Sequence, residues 1–212
     1  GVDWDGAHVA YRATFPEIHV TVYLQEADDG RAEARLEALR VQVRERLGDL
    51  IFGEGPEASL PGSVGDACLA SGRTLALAES CTGGLLAEAL SAIPGASSWL
   101  VEGVVTYSNE AKTRRLGVPA SLIEARGAVS EEVARAMAEG VRDAAGADVG
   151  VGITGIAGPT GGSPEKPVGT VHVAVATAES TVHRHLKLTF DRTRNRRVSA
   201  WKALQIVLQQ TR

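Results

Sequence analysis

Apolar and polar residues change rhythm several times along the 212-residue chain. From Phe15 to Leu24 they alternate, which places Ile18, Val20, Val22 and Leu24 on one face of a strand. Asp28-Asp29-Gly30 turns the chain, and from Arg31 to Leu47 the positions Leu36, Leu39, Val43 and Leu47 recur at helical spacing among charges. An amphipathic helix resting on the strand is predicted, then a short strand at Leu50-Ile51-Phe52-Gly53. This α+β unit over residues 1–55 is small for an independent core, so it is expected to pack on its neighbour or on sequence beyond the chain. The opening Gly1-Val2-Asp3-Trp4, without methionine, points to a fragment of something longer.

Gly53 to Pro56 and Leu60-Pro61-Gly62 read as a linker, and a second domain is expected over residues 56–212. Its pattern predicts a helix (63–70), a strand (74–78), a helix (82–91) and a strand (103–107). Short helical pieces (109–116, 119–125), a helix (131–145) and a strand (149–154) follow. Two strands (169–176, 180–188), joined by Thr177-Ala178-Glu179 as an antiparallel hairpin at the edge, and a last helix (193–210) complete it. Strands alternating with helices predict an α/β fold, a three-layer α/β/α sandwich.

Composition narrows the function classes. The chain is 44% hydrophobic with 22 basic and 26 acidic residues, a net charge of -4, so no global footprint for nucleic acid or anionic lipid exists. Cys68 and Cys81 match neither a disulfide framework nor a metal knuckle, and a reducing, cytoplasmic setting is the expectation. No apolar run nears the roughly 18 residues of a membrane span, and no signal-peptide pattern opens the chain.

Four segments can carry chemistry. In Leu75-Ala-Leu-Ala-Glu-Ser80-Cys81-Thr82-Gly83-Gly84 a buried-type strand runs into a glycine turn and a helix. Ser80 there is either a nucleophile beside turn amides or simply the helix cap. It is not a GxSxG elbow, because Ala78 holds the first glycine position. In Thr106-Tyr107-Ser108-Asn109-Glu110-Ala111-Lys112, a partly buried Lys112 can act as base and Tyr107 can pass a proton; alternatively Lys112 joins Arg114 and Arg115 on a solvated basic face.

The third segment, Val149 to Gly162, contains a literal GxGxxG at Gly150, Gly152 and Gly155. The match is false as a dinucleotide fingerprint, since two of the glycines lie within the strand and Pro159 forbids the helix that should follow. What remains is a glycine loop at a strand's carboxyl end, suited to close backbone approach by a ligand. The fourth segment sets Arg192, Arg194, Arg196 and Arg197 at the start of the last helix, against its dipole, which reads as an anion clamp or as solvated charge. His183 and His185 share a strand face without a third metal ligand, and His172 reads as a packed or edge histidine. With no natural Ser-His-Asp triad, the base role moves toward lysine.

Ala-Glu-Ser-Cys-Thr-Gly-Gly (78–84), Thr-Tyr-Ser-Asn-Glu-Ala-Lys (106–112), Gly-Ala-Val-Ser (127–130), Gly-Ile-Ala-Gly-Pro (155–159) and Lys-Pro-Val-Gly-Thr (166–170) occur in an order that resembles the CinA C-terminal family. The resemblance covers about residues 60–210. Residues 13–17 and the following helix resemble the small, KH-like middle domain of full-length members, whose molybdopterin-binding-like amino-terminal domain is absent here. The resemblance implies a metal-independent, cofactor-free amidohydrolase that converts nicotinamide mononucleotide and water to nicotinic acid mononucleotide and ammonia.

Carried onto this chain, it makes Ser80 the nucleophile, Lys112 the base and Tyr107 a further catalytic residue. Thr82, Gly83, Gly84 and Asn109 are candidate substrate contacts beside them. Thr154, Gly155, Ala157, Gly158, Gly162 and Arg192 are candidates from the later segments. Phe190 stands where the family usually has glycine, which bears on Arg192. The resemblance also implies a homodimer, no membrane, and a runner-up reading as a nucleotide-binding regulatory module tied to competence. Nucleic acid is disfavoured, because residues 9–53 hold no GxxG loop or basic cluster.

Overall fold

The computed structural model describes residues 2–211. The chain divides into two compact units between Gly55 and Pro56.

In the first unit β1 (His8–Thr14) and β2 (Glu17–Tyr23) make an antiparallel hairpin in which Ala13 pairs with Ile18. Helix α1 (Asp29–Leu47) follows, its N-terminus capped by the Asp28 side chain, which accepts from the Arg31 N–H. Three features here differ from the sequence reading. The strand β1 went unpredicted; the strand expected at 50–53 is instead a 3-10 turn, Gly48–Leu50, with irregular chain after it. The supposed buried face of β2 is open, with Ile18 65% and Val20 40% exposed, and on α1 only Leu39 is buried.

The second unit is built on a five-stranded sheet of order β4-β3-β5-β6-β7. The strands are β3 (Leu75–Glu79), β4 (Leu100–Val105), β5 (Val149–Gly155), β6 (Thr170–Ala176) and β7 (Thr181–Lys187). β4 and β5 run parallel to β3, β6 runs antiparallel to β5, and β7 runs antiparallel to β6, which makes β6 and β7 the expected hairpin. One layer holds α4 (Asn109–Leu116), α5 (Ala120–Arg126) and α6 (Glu131–Ala145); the other holds α2 (Leu60–Ser71), α3 (Leu85–Ser91) and α7 (Arg192–Thr211). The three-layer sandwich is the predicted fold.

Its core explains the elements. β3 is buried at all five positions, as a central strand covered on both faces must be. Ala76 and Ala78 face the α6 side, where they meet Val133, Met137 and Val141. On β5 the glycines are obligatory: a Cβ at Gly150 would stand 2.1 Å from the Ala138 carbonyl, and one at Gly152 2.4 Å from that of Ala134. Helix α6 therefore lies directly on bare backbone. Ser130 caps it, accepting from the Val133 N–H, and the helix spans the predicted residues. No helix among the described residues is long and apolar enough to cross a membrane.

Candidate active site

Ser80 is the first residue beyond β3, at the carboxyl edge of the three parallel strands where open α/β sheets bind ligands. It follows Ala76 and Ala78 in the alternation of the strand and so continues their side, toward α4 and α6. The chain then turns through Gly83 and Gly84, whose φ angles of 62° and 93° require glycine, and α3 begins only at Leu85. Ser80 does not cap that helix. The buried Glu79 carboxylate does so, accepting from the N–H groups of Gly84 (3.0 Å), Leu86 (3.2 Å) and Ala87 (2.8 Å).

The Ser80 hydroxyl is left to Lys112. Lys112 Nζ lies 3.1 Å from Ser80 Oγ, 2.7 Å from the Thr106 carbonyl and 3.4 Å from that of Tyr107. Residue 112 is only 1% exposed, so it belongs to no solvated face, unlike Arg114 and Arg115. Burial pushes the Lys112 pKa below the ordinary lysine value, against a smaller opposing effect of Cys81. No carboxylate is paired with it among the described residues. Ser108 caps α4 through the Ala111 N–H, which fixes the turn from which Lys112 reaches back. The neighbouring Cys81 thiol is pushed up to about 12, chiefly by burial, so it is protonated and inert at neutral pH.

The other candidates divide into those near this pair and those elsewhere. Thr154 is buried, and its hydroxyl donates to the Ala128 carbonyl at 2.8 Å. Because Ala78 pairs with Gly152, Thr154 stands level with Ser80 on the neighbouring strand. Thr82 is wholly buried and its Oγ1 has no partner; the same holds for Thr106 Oγ1. Tyr107 is 61% exposed, and its hydroxyl lies 3.4 Å from Arg192 Nη2, while Arg192 Nη1 donates to the Gly158 carbonyl at 2.7 Å. Asn109 is exposed at the start of α4 and lines a separate open groove of about 430 Å³ with Thr113, Arg114, Ile123 and Glu124; neither Ser80 nor Lys112 borders that groove.

The glycine loop is crowded by itself. A Cβ at Gly158 would meet Val168 Cγ1 at 2.5 Å and one at Gly162 the Val168 nitrogen at 2.7 Å, while Gly155 abuts Val171. These glycines therefore admit the loop's own chain, a correction to the reading that they make room for a ligand. Ala157 is buried, its carbonyl accepting from Asn195 Nδ2 at 3.1 Å.

The four-arginine clamp is also corrected. Asp191 caps α7 through the Arg194 N–H and pairs with the Arg194 side chain at 3.7 Å, and Arg197 lies over Trp201 at 5.0 Å. Arg196 grips the Thr82 carbonyl through Nη2 (2.6 Å) and Nε (3.2 Å). Arg192 alone meets the glycine loop. Phe190 does not loosen its approach, because buried Asn195 holds Phe190 at both its N–H (3.2 Å) and its carbonyl (2.9 Å).

The histidines gather more closely than expected. His172 is buried, stacks on His185 at 4.5 Å, and places Nδ1 2.9 Å from His183 Nε2; His183 Nδ1 is 3.2 Å from Glu131. A third histidine thus does join His183 and His185. His172 and His183 share a ring hydrogen bond while His185 only stacks on His172, and among the described residues no group of three or more His, Cys, Asp or Glu is arranged to hold a metal. Glu79, Thr106 and Asn195 were not singled out from the sequence, and Arg196 was read only as part of the arginine cluster. A lone acid closing an apolar strand before Gly-Gly was the one available signal, and it pointed to Glu79.

With this geometry in hand, the relatives are informative. The family model described as the CinA C-terminal domain matches residues 57–211. A CinA-like protein of Anaeromyxobacter dehalogenans (strain 2CP-1) is 52% identical over 202 residues, covering 95% of this chain and 48% of that protein. A CinA-like protein of Gemmatimonas aurantiaca is 58% identical over 144 residues, 68% of this chain and 33% of its own length. The chain spans about half the length of the first of these relatives. Among solved structures, the competence/damage inducible protein CihA from Agrobacterium tumefaciens superposes with a TM-score of 0.69 at 35% identity, over 75% of this chain and all of that one. A CinA superfamily protein from Klebsiella pneumoniae 700603 also gives 0.69, at 36% identity, over 72% and 95%.

Proposed function

Because the chain belongs to the CinA family and carries its C-terminal domain, we propose that Pro56–Arg212 is a serine-lysine amidohydrolase acting on the carboxamide of nicotinamide mononucleotide. The observation that carries this reading is the buried pair of Ser80 and Lys112, 3.1 Å apart with no counter-ion among the described residues. A neutral amine has two N–H donors and one lone pair. Around Lys112 Nζ stand two carbonyls, of Thr106 and Tyr107, and one hydroxyl, of Ser80. The donors match the carbonyls, and the lone pair is left for the serine proton. This is the arrangement of a general base.

The reaction balances with these groups alone. Lys112 takes the Ser80 proton as Oγ bonds to the carboxamide carbon, forming a tetrahedral oxyanion. As the C–N bond breaks, the Lys112 ammonium returns the proton to the leaving nitrogen, and ammonia departs. A water then loses one proton to Lys112 and attacks the ester; as the C–O bond breaks, the Lys112 ammonium returns that proton to Ser80 Oγ, and the acid product passes its remaining proton to the released ammonia, leaving the carboxylate. Of the turn amides expected to hold the oxyanion, those of Gly83 and Gly84 already donate to the Ser80 carbonyl and to Glu79. Cys81 and Thr82 are the N–H groups left for it.

Arg192 supplies a cation beside the Gly158 carbonyl and the Tyr107 hydroxyl, suited to the nucleotide phosphate at a distance from the reacting carbon. The coupled measurement of ammonia released from nicotinamide mononucleotide tests the reading. Wild type is expected to turn over and folded Ser80→Ala to be inert. Nucleotide binding by calorimetry without ammonia would favour the regulatory-module reading instead, and an active Ser80→Ala would remove the nucleophile.

A further inference from the structure

We infer that Arg196 is the positioning residue of the nucleophile turn, setting and polarising the Cys81 N–H as an oxyanion donor through a relay of two peptide groups. The relay is visible in three contacts. Arg196 Nη2 and Nε hold the Thr82 carbonyl at 2.6 and 3.2 Å. The same peptide ends in the Gly83 N–H, which in a trans peptide points opposite to that carbonyl, and it donates to the Ser80 carbonyl at 3.1 Å. The Ser80 carbonyl in turn shares its peptide with the Cys81 N–H, which must point away from Gly83. Among the described residues its one recorded contact is with the sulfur of Cys81 itself, which an oxyanion would displace.

Fixing the Thr82 carbonyl therefore fixes, one rigid plane at a time, the amide of the residue that follows the nucleophile. In the α/β-hydrolase elbow, where a serine also sits on a tight strand-to-helix turn, the corresponding amide is an oxyanion donor. The relay also carries charge. A guanidinium at one end polarises each hydrogen-bonded peptide in sequence, leaving the last N–H more positive than an isolated amide. Two further details show that the turn is built around this contact. Position 83 has a φ of 62°, which favours glycine, and a Cβ there would stand a tight 3.3 Å from Arg196 Nη2. On the opposite side the Glu79 carboxylate draws the Gly84, Leu86 and Ala87 amides toward itself, so they do not compete for the oxyanion.

The catalytic consequence rests on the amidohydrolase reading, but the relay has its own readout. In the full chain, amide ¹H and ¹⁵N shifts of Cys81 and Gly83 are compared among wild type, Arg196→Met and Arg196→Lys. Loss of the cation is expected to move the Cys81 proton upfield, with the lysine variant intermediate. On nicotinamide mononucleotide, kcat is expected to fall by about 10- to 100-fold in Arg196→Met with KM within threefold, and Arg196→Lys to recover part of the loss. A Cys81 resonance that does not move in either variant overturns the relay. So does an unchanged kcat, or a loss that appears only as lower thermal stability. Should Arg196→Met fail to fold, Arg196→Lys alone decides by the same criteria. Should wild type release no ammonia, the functional reading falls, and the Cys81 shift still decides the relay.

Discussion

Replacing Glu79 by glutamine isolates the contact that organises the nucleophile turn. One carboxylate oxygen, Oε2, accepts from Gly84 and Leu86, and the other, Oε1, accepts from Ala87. Glutamine keeps one acceptor oxygen and sets an NH₂ in place of the other, so at least one N–H at the start of α3 loses its acceptor and meets a donor. At 1% exposure no water replaces it. One charge-assisted hydrogen bond is worth about 1.5–3 kcal/mol, and the lost negative charge at a helix N-terminus adds about 0.3–1 kcal/mol. The expected loss is about 2–4 kcal/mol, or roughly 5–15 °C in Tm for a domain of this size. Urea unfolding followed by circular dichroism measures it, with Glu88→Gln, exposed on the same helix, as the control expected within about 0.5 kcal/mol of wild type. A Glu79→Gln protein as stable as that control would refute the capping role.

Lys112 must be neutral to accept the serine proton, and burial lowers its pKa, so kcat/KM is expected to rise with pH to a plateau reached below the ordinary lysine range. Lys112→Ala should lower the rate by about 10²- to 10⁴-fold and abolish that limb of the profile. Gly152→Ala would set a methyl group 2.4 Å from the Ala134 carbonyl and 2.6 Å from the Ala138 nitrogen; a loss of about 1–3 kcal/mol or more in urea unfolding is expected. His172 is pushed down to about 4, mainly by burial, with His185, His183 and Lys166 adding to the shift and Glu131 opposing it. The unfolded chain then binds the proton first, so this stability is complete above about pH 6.5 and is lost as pH falls toward 4. His172→Phe should flatten the dependence of urea midpoints on pH across that window, and an unaltered slope would count against the assignment.

What could be read in advance follows the kind of force involved. β3 was legible because burial on both faces demands an unbroken apolar run, and α6 because Ser130 caps a strongly periodic stretch. β1 left no such trace, for His8, Tyr11 and Arg12 interrupt it and its partner strand is itself largely exposed. The segment at 50–53 was apolar enough for a strand but finds no neighbour to pair with in the sheet. At the site, residue type alone left Ser80 as cap or nucleophile; it loses the first role because Glu79 takes it. Glu79, Asn195 and Arg196 bond to backbone groups of remote or turning chain, contacts that impose no periodicity. The meeting of Ser80 and Lys112, 32 positions apart, came from family resemblance and not from spacing.

The bare strand at Gly150 and Gly152 acts as a gauge block between sheet and helix. With no side chain to hold them apart, α6 rests on β5 at backbone distance. The loop before α6 is thereby carried in over the sheet edge, where the Ala128 carbonyl takes the Thr154 hydroxyl. The strand beside Ser80 and the loop that meets it share one datum. A change of helix-to-sheet spacing made deep in the core, remote from Ser80, is expected to displace the Ala128–Thr154 contact, and a scan of substitutions scored by turnover should find sensitive positions along α6 as well as around the serine.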